Sequence, residues 1–289
     1  MTRSEPVSRQ VSGQAATPAR QQEPTDRPAA PRPPEQRGEH FLESLERGLL
    51  VLRSFDARHP RRTLTEVAEA TGLNRATARR ILLTLSDLGY VSQSGRDFSL
   101  APRVLDFGFS YLANLGVTAA EPYMRELSRQ VGESVLLAVL DGHDVRYVAR
   151  ANAPRTLHLN IPIGERSPAH VTSAGRMLLA QLPPAELDHY LATAELRQYT
   201  DWTVTDQTVL RAQLAEAARR GWAHSVSELD VGMEGVAVPL PGLGFDGTPT
   251  ALSAVFPVMR FDFAELEEKV VAPLREQAEH IAQTAARHV

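Results

Sequence analysis

One short stretch of the chain, residues 74–88, combines basic and hydroxyl side chains at spacings that place them on the outer face of a helix. These side chains are Arg75, Thr77, Arg79, Arg80 and Thr84. The apolar residues between them recur at helical spacing and are expected to face inward: Ala78, Ile81, Leu82, Leu85 and Leu88. An arginine can donate two parallel hydrogen bonds to a phosphate or to the O6 and N7 atoms of guanine. The stretch therefore predicts a helix that contacts nucleic acid.

The residues on either side of this helix predict a compact unit that would hold it against DNA. The expected elements are helices over residues 65–71 and 74–88 and strands over residues 90–92 and 97–100. Gly72 is free to adopt the left-handed conformation of a tight turn, and Ala68 lets the two helices cross closely. The strands close on Ser94 and Gly95 as a wing. The pattern predicts a winged helix-turn-helix whose second helix enters the major groove; the alternative is a three-helix unit with a solvated arginine face.

Seven residues of this unit are expected to contact DNA: Asn74, Arg75, Thr77, Arg79, Arg80, Thr84 and Arg96. One or two of the arginines would hold phosphates, as Arg96 in the wing would. Residues 41–103 carry ten arginines and seven carboxylates, whereas the whole chain has a net charge of −4. Basic charge concentrated in one part of an acidic protein is typical of a phosphate-binding surface.

A second stretch, residues 170–176, offers a different chemistry. We expect Ser173 to cap the N-terminus of a short helix, so that the backbone N–H groups of Ala174 and Gly175 meet the positive end of the helix dipole. Such a point is suited to binding a carboxylate. The alternative is an ordinary capped helix that packs through its apolar residues 177–179.

Patterns that would indicate an enzyme are weak. Residues 242–247 fit GxGxxG, but Pro241 and Pro249 flank them and no helix is predicted to follow, so we interpret them as a turn rather than a dinucleotide-binding loop. No Gly-x-Ser-x-Gly sequence is present. Five histidines are scattered without the spacing of a metal site: His143, His158, His170, His189 and His224. We predict no catalytic residues, no metal and no cofactor, with an enzyme that uses the C-terminal half as an alternative.

Length and composition set broad bounds. A chain of 289 residues can form two domains with separate cores. It contains no cysteine, which excludes disulfides and thiolate metal sites. No run approaches eighteen apolar residues, and the first residues lack the apolar core of a secretory signal. We therefore expect a cytoplasmic protein that does not contact a membrane.

Four segments follow from these patterns: a tail over residues 1–38, a DNA-binding domain over 39–102, a linker helix over 103–118 and a second domain over 119–289. The tail contains seven prolines, and its only branched aliphatic residues are Val7 and Val11. It cannot bury enough apolar surface to offset its ordering entropy, so we expect it to be disordered.

Apolar stripes indicate how the helices around the DNA-binding unit pack. A helix over residues 41–55 carries a stripe that should support the two helices after it: Leu42, Leu45, Leu49 and Leu52. The linker helix is apolar on most of its circumference, through Val104, Leu105, Phe107, Phe109, Tyr111, Leu112 and Leu115. Such a helix needs cover on more than one side. The simplest cover is a second copy of the helix in a dimer; the alternative is the core of the second domain.

The second domain mixes helices and strands. Helices are expected from residue 119, with Tyr123, Met124 and Leu127 inward, and over residues 174–181, 184–196, 206–220 and 263–287. Strands are expected over residues 135–140, 145–149, 157–163, 222–227, 236–240 and 250–258, the first two joined by a hairpin at residues 141–144. Antiparallel strands flanked by helices predict an α+β domain.

The order of motifs in both halves resembles the IclR family of transcriptional regulators. The DNA-binding half matches in Ser44-Leu-Glu-Arg-Gly-Leu-Leu-Val-Leu, Thr71-Gly-Leu, Ala78-Arg-Arg-Ile-Leu, Thr84-Leu, Gly89-Tyr-Val and Phe98-Ser-Leu. The second half matches in Thr172-Ser-Ala-Gly-Arg-Met-Leu-Leu-Ala, Gly221-Trp-Ala, Glu228 through Gly232, and Val236-Ala-Val-Pro. Further segments resemble the branch that governs protocatechuate and β-ketoadipate catabolism: Arg103-Val-Leu-Asp-Phe-Gly, Pro162-Ile-Gly-Glu-Arg, Tyr199-Thr and Val204-Thr-Asp.

The resemblance implies an N-terminal winged helix, a C-terminal GAF-like effector-binding domain, and homodimers or homotetramers on double-stranded promoter DNA. It implies control of catabolic genes by a small carboxylic acid, such as protocatechuate or β-ketoadipate. Some relatives bind zinc, which remains an alternative to a metal-free protein. A DNA-binding protein that takes no ligand remains another.

The resemblance also implies an effector site, formed by Thr172, Ser173, Ala174, Gly175, Ser225, Glu228, Gly235 and Ser253. Two positions depart from the better-known glyoxylate-responsive pattern. Ser225 stands where an acid is common, and Gly235 stands where a cysteine or a serine is common. The loss of an acid and of some bulk is consistent with a larger or more anionic ligand, such as an aromatic or dicarboxylic acid.

Overall fold

The fold is taken from a computed structural model that describes residue 38 and residues 40–153, 161–243 and 248–286. The predicted disordered tail lies outside the described residues except for Gly38. Most of the GxGxxG turn lies outside them as well. In the part of the chain that is described, no helix is both long and apolar enough to cross a membrane.

The N-terminal domain is a winged helix-turn-helix, as predicted. Its elements are α1 (Glu43–Arg53), β1 (Arg61–Thr63), α2 (Leu64–Thr71), α3 (Arg75–Asp87), β2 (Val91–Ser94) and β3 (Asp97–Leu100). The prediction missed β1, which pairs with β3 to give an antiparallel sheet in the order β1-β3-β2. Three residues with little apolar character give a weak strand signal, so only pairing with β3 identifies β1.

Local sequence determines where the two central helices begin and end. Thr63 and Glu66 form a capping box at the start of α2, and Gly72, with φ of 67°, ends that helix. Asn74 then caps α3 by accepting a hydrogen bond from the backbone N–H of Thr77. The turn predicted at Gly72 is therefore present, and α3 is presented at a fixed angle.

Two apolar packing predictions in this domain are wrong. The core of the domain is built by Val51, Phe55, Val67, Leu82, Leu85, Val91 and Phe98. Of the predicted supporting stripe of α1, only Leu52 packs against this core. The other three residues face outward: Leu42 and Leu45 are 64% and 60% exposed, and Leu49 is also exposed. Helix α1 uses its other face, through Val51, for the core. Leu88, which was expected to face inward, is exposed as well.

The segment predicted as one linker helix is shorter and is interrupted. A 3₁₀ turn (Pro102–Val104) leads into α4 (Leu105–Asn114), and α5 (Val117–Val131) begins after Gly116. Gly116 has φ of 78°, and the Cβ of any other residue there would lie 3.1 Å from Leu243. None of the α4 residues is fully buried in the chain. The alternative that the predicted helix belongs to the core of the second domain holds only for its C-terminal end, where Leu112 packs against that core and Leu115 is part of it.

The second domain is an α+β domain, as predicted, built on one antiparallel sheet in the order β6-β5-β4-β9-β8-β7. The strands are β4 (Ser134–Asp141), β5 (Asp144–Ala151), β6 (Arg166–Pro168), β7 (Ala223–Val226), β8 (Met233–Pro239) and β9 (Thr250–Pro257). The helices after α5 are α6 (Ser173–Leu179), α7 (Pro184–Thr193), α8 (Gln207–Arg220), α9 (Phe263–Leu266) and α10 (Ala272–Ala285). Helices α5 and α10 cover one face of the sheet, and α6, α7 and α8 cover the other.

Two element predictions in this domain need correction. The strand expected over residues 157–163 falls partly outside the described residues, and residues 161–165 form a turn instead, with Ile163 exposed. The C-terminal helix expected over residues 263–287 contains a π-helical turn, Glu267–Val271. Pro273, which has no backbone N–H to donate, is the second residue after that turn.

Candidate DNA-binding and effector-binding sites

Helix α3 presents its arginines on the side away from the core. At about 100° per residue, Arg80 lies almost opposite the buried Ala78 and Leu82. Arg75 and Arg79 lie along one flank of that outward face, and all three arginines are exposed. Among the described residues, no carboxylate pairs with any of them. The three guanidinium groups are therefore available to phosphates or base edges.

The other predicted DNA-contacting residues have mixed roles. The side-chain oxygen of Asn74 caps α3 by accepting a hydrogen bond from the backbone N–H of Thr77. The side chain of Thr77 is only partly exposed. The hydroxyl of Thr84 donates to the carbonyl of Arg80, one turn earlier, while the side chain stays on the outward face. Arg96 lies in the tight turn between β2 and β3, at the tip of the wing, and is exposed.

In the second domain the structure brings three of the predicted effector-site residues together at the middle of β8. Gly235 pairs with Ser225 on β7, and a Cβ atom at Gly235 would lie 2.6 Å from the Ser173 hydroxyl and 3.4 Å from the Ser225 hydroxyl. A glycine is therefore needed for Ser173 to approach the strand so closely. The result is a bare patch of backbone flanked by two hydroxyl groups.

The capping arrangement expected at α6 is different in the structure. Thr172, and not Ser173, is the N-cap, and its hydroxyl oxygen accepts a hydrogen bond from the backbone N–H of Gly175 at 3.1 Å. The Gly175 amide is therefore already occupied. Ser173 is instead the first residue of the helix, which frees its hydroxyl to lie over Gly235.

Three further predicted residues, Gly175, Ala174 and Ser253, are buried where elements pack together. A Cβ atom at Gly175 would lie 2.2 Å from the backbone oxygen of Ala169, so this glycine allows α6 to pack directly on the preceding 3₁₀ turn. Ala174 is buried in the apolar cluster between α6 and the sheet. Ser253 is fully buried, with its hydroxyl 3.4 Å from the carbonyl of Leu136.

Glu228 forms an internal ion pair. Its carboxylate accepts a hydrogen bond of 2.5 Å from Arg176 on α6 and one of 3.1 Å from the backbone N–H of Val204, and both charged side chains are more than nine-tenths buried. Arg176 also donates to the carbonyl groups of His170 and His224. Burial raises the pKa of Glu228 above its usual value, against the lowering effect of Arg176.

The pair ties three segments together around the hydroxyl site. The Arg176–Glu228 pair joins α6 to the loop after β7. The segment before α8 is the third, because the hydroxyls of Thr203 and Thr200 donate to the backbone carbonyls of Glu228 and Ser227 at 2.6 Å each. Sequence reasoning selected Glu228 but did not single out Arg176 as its partner. The two residues lie 52 positions apart, so no local spacing could have indicated the pair.

Helix α4 packs against the core of the second domain through Leu112. Burial raises the pKa of Tyr111, one residue before it, while the charge of Asp141 raises that pKa further and the charge of Arg146 lowers it, so the tyrosine lies within range of the hairpin between β4 and β5. Arg146 donates two hydrogen bonds to the Asp141 carboxylate, at 2.9 and 2.6 Å, and a third to the carbonyl of Gly164. The linker thus lies near an ion pair that is hydrogen-bonded to the loop before β6.

A winged helix with unpaired arginines, joined to a separate α+β domain with a recessed polar site, defines a DNA-binding regulatory protein. Residues 44–95 match the IclR helix-turn-helix domain, and residues 109–283 match the C-terminal domain of bacterial IclR transcriptional regulators. The chain therefore belongs to the IclR family of transcriptional regulators, as the motifs predicted.

Individual relatives agree with this assignment. The chain is 36% identical to the Pca regulon regulatory protein of Pseudomonas putida over 234 residues. The matched region covers 79% of each chain. It resembles the crystal structure of a transcriptional regulator from Rhodococcus sp. RHA1 with 41% identity and a TM-score of 0.75, over 86% of this chain and 100% of the other. An IclR homologue from Microbacterium hydrocarbonoxydans, complexed with 4-hydroxybenzoate, gives 27% identity and a TM-score of 0.75, over 84% and 99% of the two chains.

Proposed function

We propose that this regulator binds promoter DNA through α3 and the wing, and that a small aromatic or dicarboxylic acid bound in the second domain changes that binding. Protocatechuate, 4-hydroxybenzoate and β-ketoadipate are the first candidates for the acid. The observation that carries the proposal is the pair of hydroxyl groups, from Ser173 and Ser225, held over the bare backbone of Gly235.

The electrostatics of this site support a small polar acid over a highly charged ligand. Arg176, a buried arginine three residues after Ser173 on α6, donates its hydrogen bonds to Glu228 and to two backbone carbonyls. The recognition of an acid would therefore depend on hydrogen bonds from neutral groups. Serine hydroxyls can donate to a carboxylate and can also accept from a phenol. The name of the Pseudomonas relative and the 4-hydroxybenzoate complex of the Microbacterium homologue point to the same class of ligand.

For DNA we propose that Arg80, at the centre of the outward face of α3, reaches base edges. Arg75 and Arg79 on its flank and Arg96 at the tip of the wing would bind phosphates. Asn74 would act mainly by fixing the start of α3, while Thr77 and Thr84 would line the edge of the groove. The exposure of these residues and the absence of competing carboxylates within the described chain support the assignment.

We also propose that the chain acts as a homodimer, or as a homotetramer built from dimers. Large apolar side chains on α1 and α4 are exposed in the single chain: Leu42, Leu45, Leu49, Leu105, Phe107 and Phe109. Phe109 alone is 72% exposed. Exposed apolar surface of this extent is typical of a contact between chains. A second copy would cover the α4 stripe and bring two α3 helices to one palindromic site.

Sedimentation analysis tests the dimer. Phe109→Glu should shift the protein to the monomer and weaken operator binding, because a charge would be buried in the contact. Met259→Glu is the matched control, since Met259 is 91% exposed and follows β9 in the second domain, outside both helices. Unchanged sedimentation of the Phe109 variant would contradict the proposed interface.

The proposed response to an acid is tested by gel shift on the DNA upstream of the protein's own gene, with and without protocatechuate or 4-hydroxybenzoate, and by calorimetry with the same acids. An acid that binds should change operator affinity several-fold, because allosteric coupling is typically worth about 1–3 kcal/mol. Operator binding that none of the acids alters, together with no heat of binding, would indicate a DNA-binding protein that takes no such ligand.

Ser173→Pro separates the ligand site from the fold. Because Ser173 is the first residue of α6, a proline is compatible with the helix there, and Thr172 already has the extended conformation that precedes a proline. The variant loses both the hydroxyl and the amide hydrogen at the site. We expect it to keep operator binding and to lose the heat of acid binding.

A further inference from the structure

We infer that Ser134, at the start of β4, is a specificity-determining residue that hydrogen-bonds the second polar group of the acid, at the end of the ligand remote from Ser225. The inference rests on the proposed function, since it assigns the far end of the same site. Ser134 was not among the residues that the sequence indicated.

The sheet register places Ser134 in one row with the hydroxyl site. Ser134 pairs with Val255 on β9, Val255 pairs with Gly235 on β8, and Gly235 pairs with Ser225 on β7. The row thus crosses four strands, from β4 to β7, and has a hydroxyl-bearing side chain at each end. Neighbouring strands lie about 4.8 Å apart, so its ends are separated by roughly 14 Å along the sheet.

All four members of the row belong to the face that α6 covers. Side chains alternate between the faces of a strand, and Leu136, two residues after Ser134, belongs to the apolar cluster beneath α6. Val255 packs against the same cluster, whereas Val135 and Ala254 belong to the cluster on the opposite face. Ser134 and Ser225 therefore point to the same side.

This row is less closed than the row next to it. Val255, on the interior strand β9, and Ser225, on the edge strand β7, are partly exposed, whereas Gly235 between them is buried beneath the Ser173 hydroxyl. In the adjacent row, formed by Leu136, Ser253, Ala237 and Ala223, every residue is buried. The depression above the first row is thus bounded by Ser173 and Ser225 at one end and by Ser134 at the other, with an apolar floor at Val255.

This arrangement matches the shape of a hydroxybenzoate. Such an acid carries a carboxylate and a phenolic hydroxyl at opposite ends of a flat apolar ring, and the ring would lie over Val255, between the Ser173 hydroxyl and Ser134. Ser134 as a residue is only 6% exposed, and among the described residues none hydrogen-bonds to its hydroxyl. A buried hydroxyl that a ligand group can satisfy discriminates against a ligand that lacks the group.

Calorimetry of the full-length chain with benzoate, 4-hydroxybenzoate and protocatechuate tests the assignment. Ser134→Ala should weaken the two hydroxylated acids roughly three- to tenfold, the usual effect of losing one hydrogen bond, and leave benzoate within twofold. Ser225→Ala should weaken all three acids alike, because each has the carboxylate. Ser134→Thr keeps the hydroxyl and should keep the preference for the hydroxylated acids.

Ser128→Ala is the matched control, because it removes a buried serine hydroxyl close by on α5, which covers the other face of the sheet. It should change thermal stability and none of the three affinities. An unchanged preference in Ser134→Ala, or an equal loss for all three acids, would overturn the inference while leaving the effector site in place. If the unsubstituted protein binds none of the acids, the proposed function itself fails, and the inference fails with it.

Discussion

The two domains use arginine in opposite ways. On α3, the guanidinium groups of Arg75, Arg79 and Arg80 are exposed and have no carboxylate partner among the described residues. In the second domain, Arg176 is buried and bonded to Glu228 and to two backbone carbonyls. Arginine thus offers an unpaired charge to an external phosphate in one domain, and forms a buried ion pair that holds segments together in the other. Its role depends on burial and on partners, and residue type alone does not reveal it.

The largest expected effect comes from breaking this buried ion pair. Arg176→Ala would leave the Glu228 carboxylate buried without its partner, which typically costs about 3–5 kcal/mol of unfolding free energy. Arg211→Ala is the control, because the Arg211–Asp188 pair is exposed and such pairs contribute about 0–1 kcal/mol. Denaturant unfolding monitored by circular dichroism measures both. Equal, small losses in the two variants would show that burial does not distinguish these arginines.

The free arginines should affect binding and leave folding unchanged. Arg80→Ala is expected to weaken operator affinity roughly 5- to 150-fold, or about 1–3 kcal/mol, with no change in the midpoint of thermal unfolding. Fluorescence anisotropy with labelled operator DNA at moderate salt measures the affinity. Arg125→Ala, an exposed arginine of α5 in the second domain, should bind the operator normally. Unchanged binding by the Arg80 variant would contradict the groove assignment.

A substitution at Gly235 tests whether the second domain binds an acid at the Ser173 and Ser225 hydroxyls. In Gly235→Ala the added methyl group would collide with the Ser173 hydroxyl at 2.6 Å, and such overpacking typically costs about 1–3 kcal/mol. Acid affinity measured by calorimetry should therefore fall by about fivefold or more, while operator binding without the acid persists. Gly48→Ala, where the added methyl group meets no atom within 4 Å, is the control and should bind the acids normally.

The smallest effect concerns pH. Burial and the nearby charge of Arg176 lower the pKa of His170, against the opposing hydrogen bond to the Arg197 carbonyl. The unfolded chain then binds the proton more readily than the folded one, so the free energy of unfolding falls as pH drops below about 6.5. Unfolding curves at pH 7.5 and 5.5 measure this loss, and His170→Gln should reduce it. An identical pH dependence in that variant would assign the loss to other groups.

The sequence predicted the DNA-binding domain more closely than the effector site. Helices α2 and α3 begin and end within one residue of their predicted limits, because Gly72, Asn74 and the helical spacing of apolar residues act locally. The motifs of both halves identified the family. By contrast, β1 depends on pairing with β3, and the capping role expected for Ser173 belongs to Thr172.

Sequence by itself determined the local elements of this protein, the arginine face of α3 and its membership of the IclR family, since each depends on spacing over a few residues or on motif order. Only the tertiary structure decided which polar groups are free. The carboxylate of Glu228 is paired with Arg176, which lies 52 residues away in the sequence. Ser134 and Ser225, by contrast, lie at the two ends of one row that three strand pairings create. Leu42 and Leu45 face outward because the core of α1 lies on its other side. The burial and the charge of each site depend on residues that are distant in the sequence. No local sequence pattern indicates these contacts.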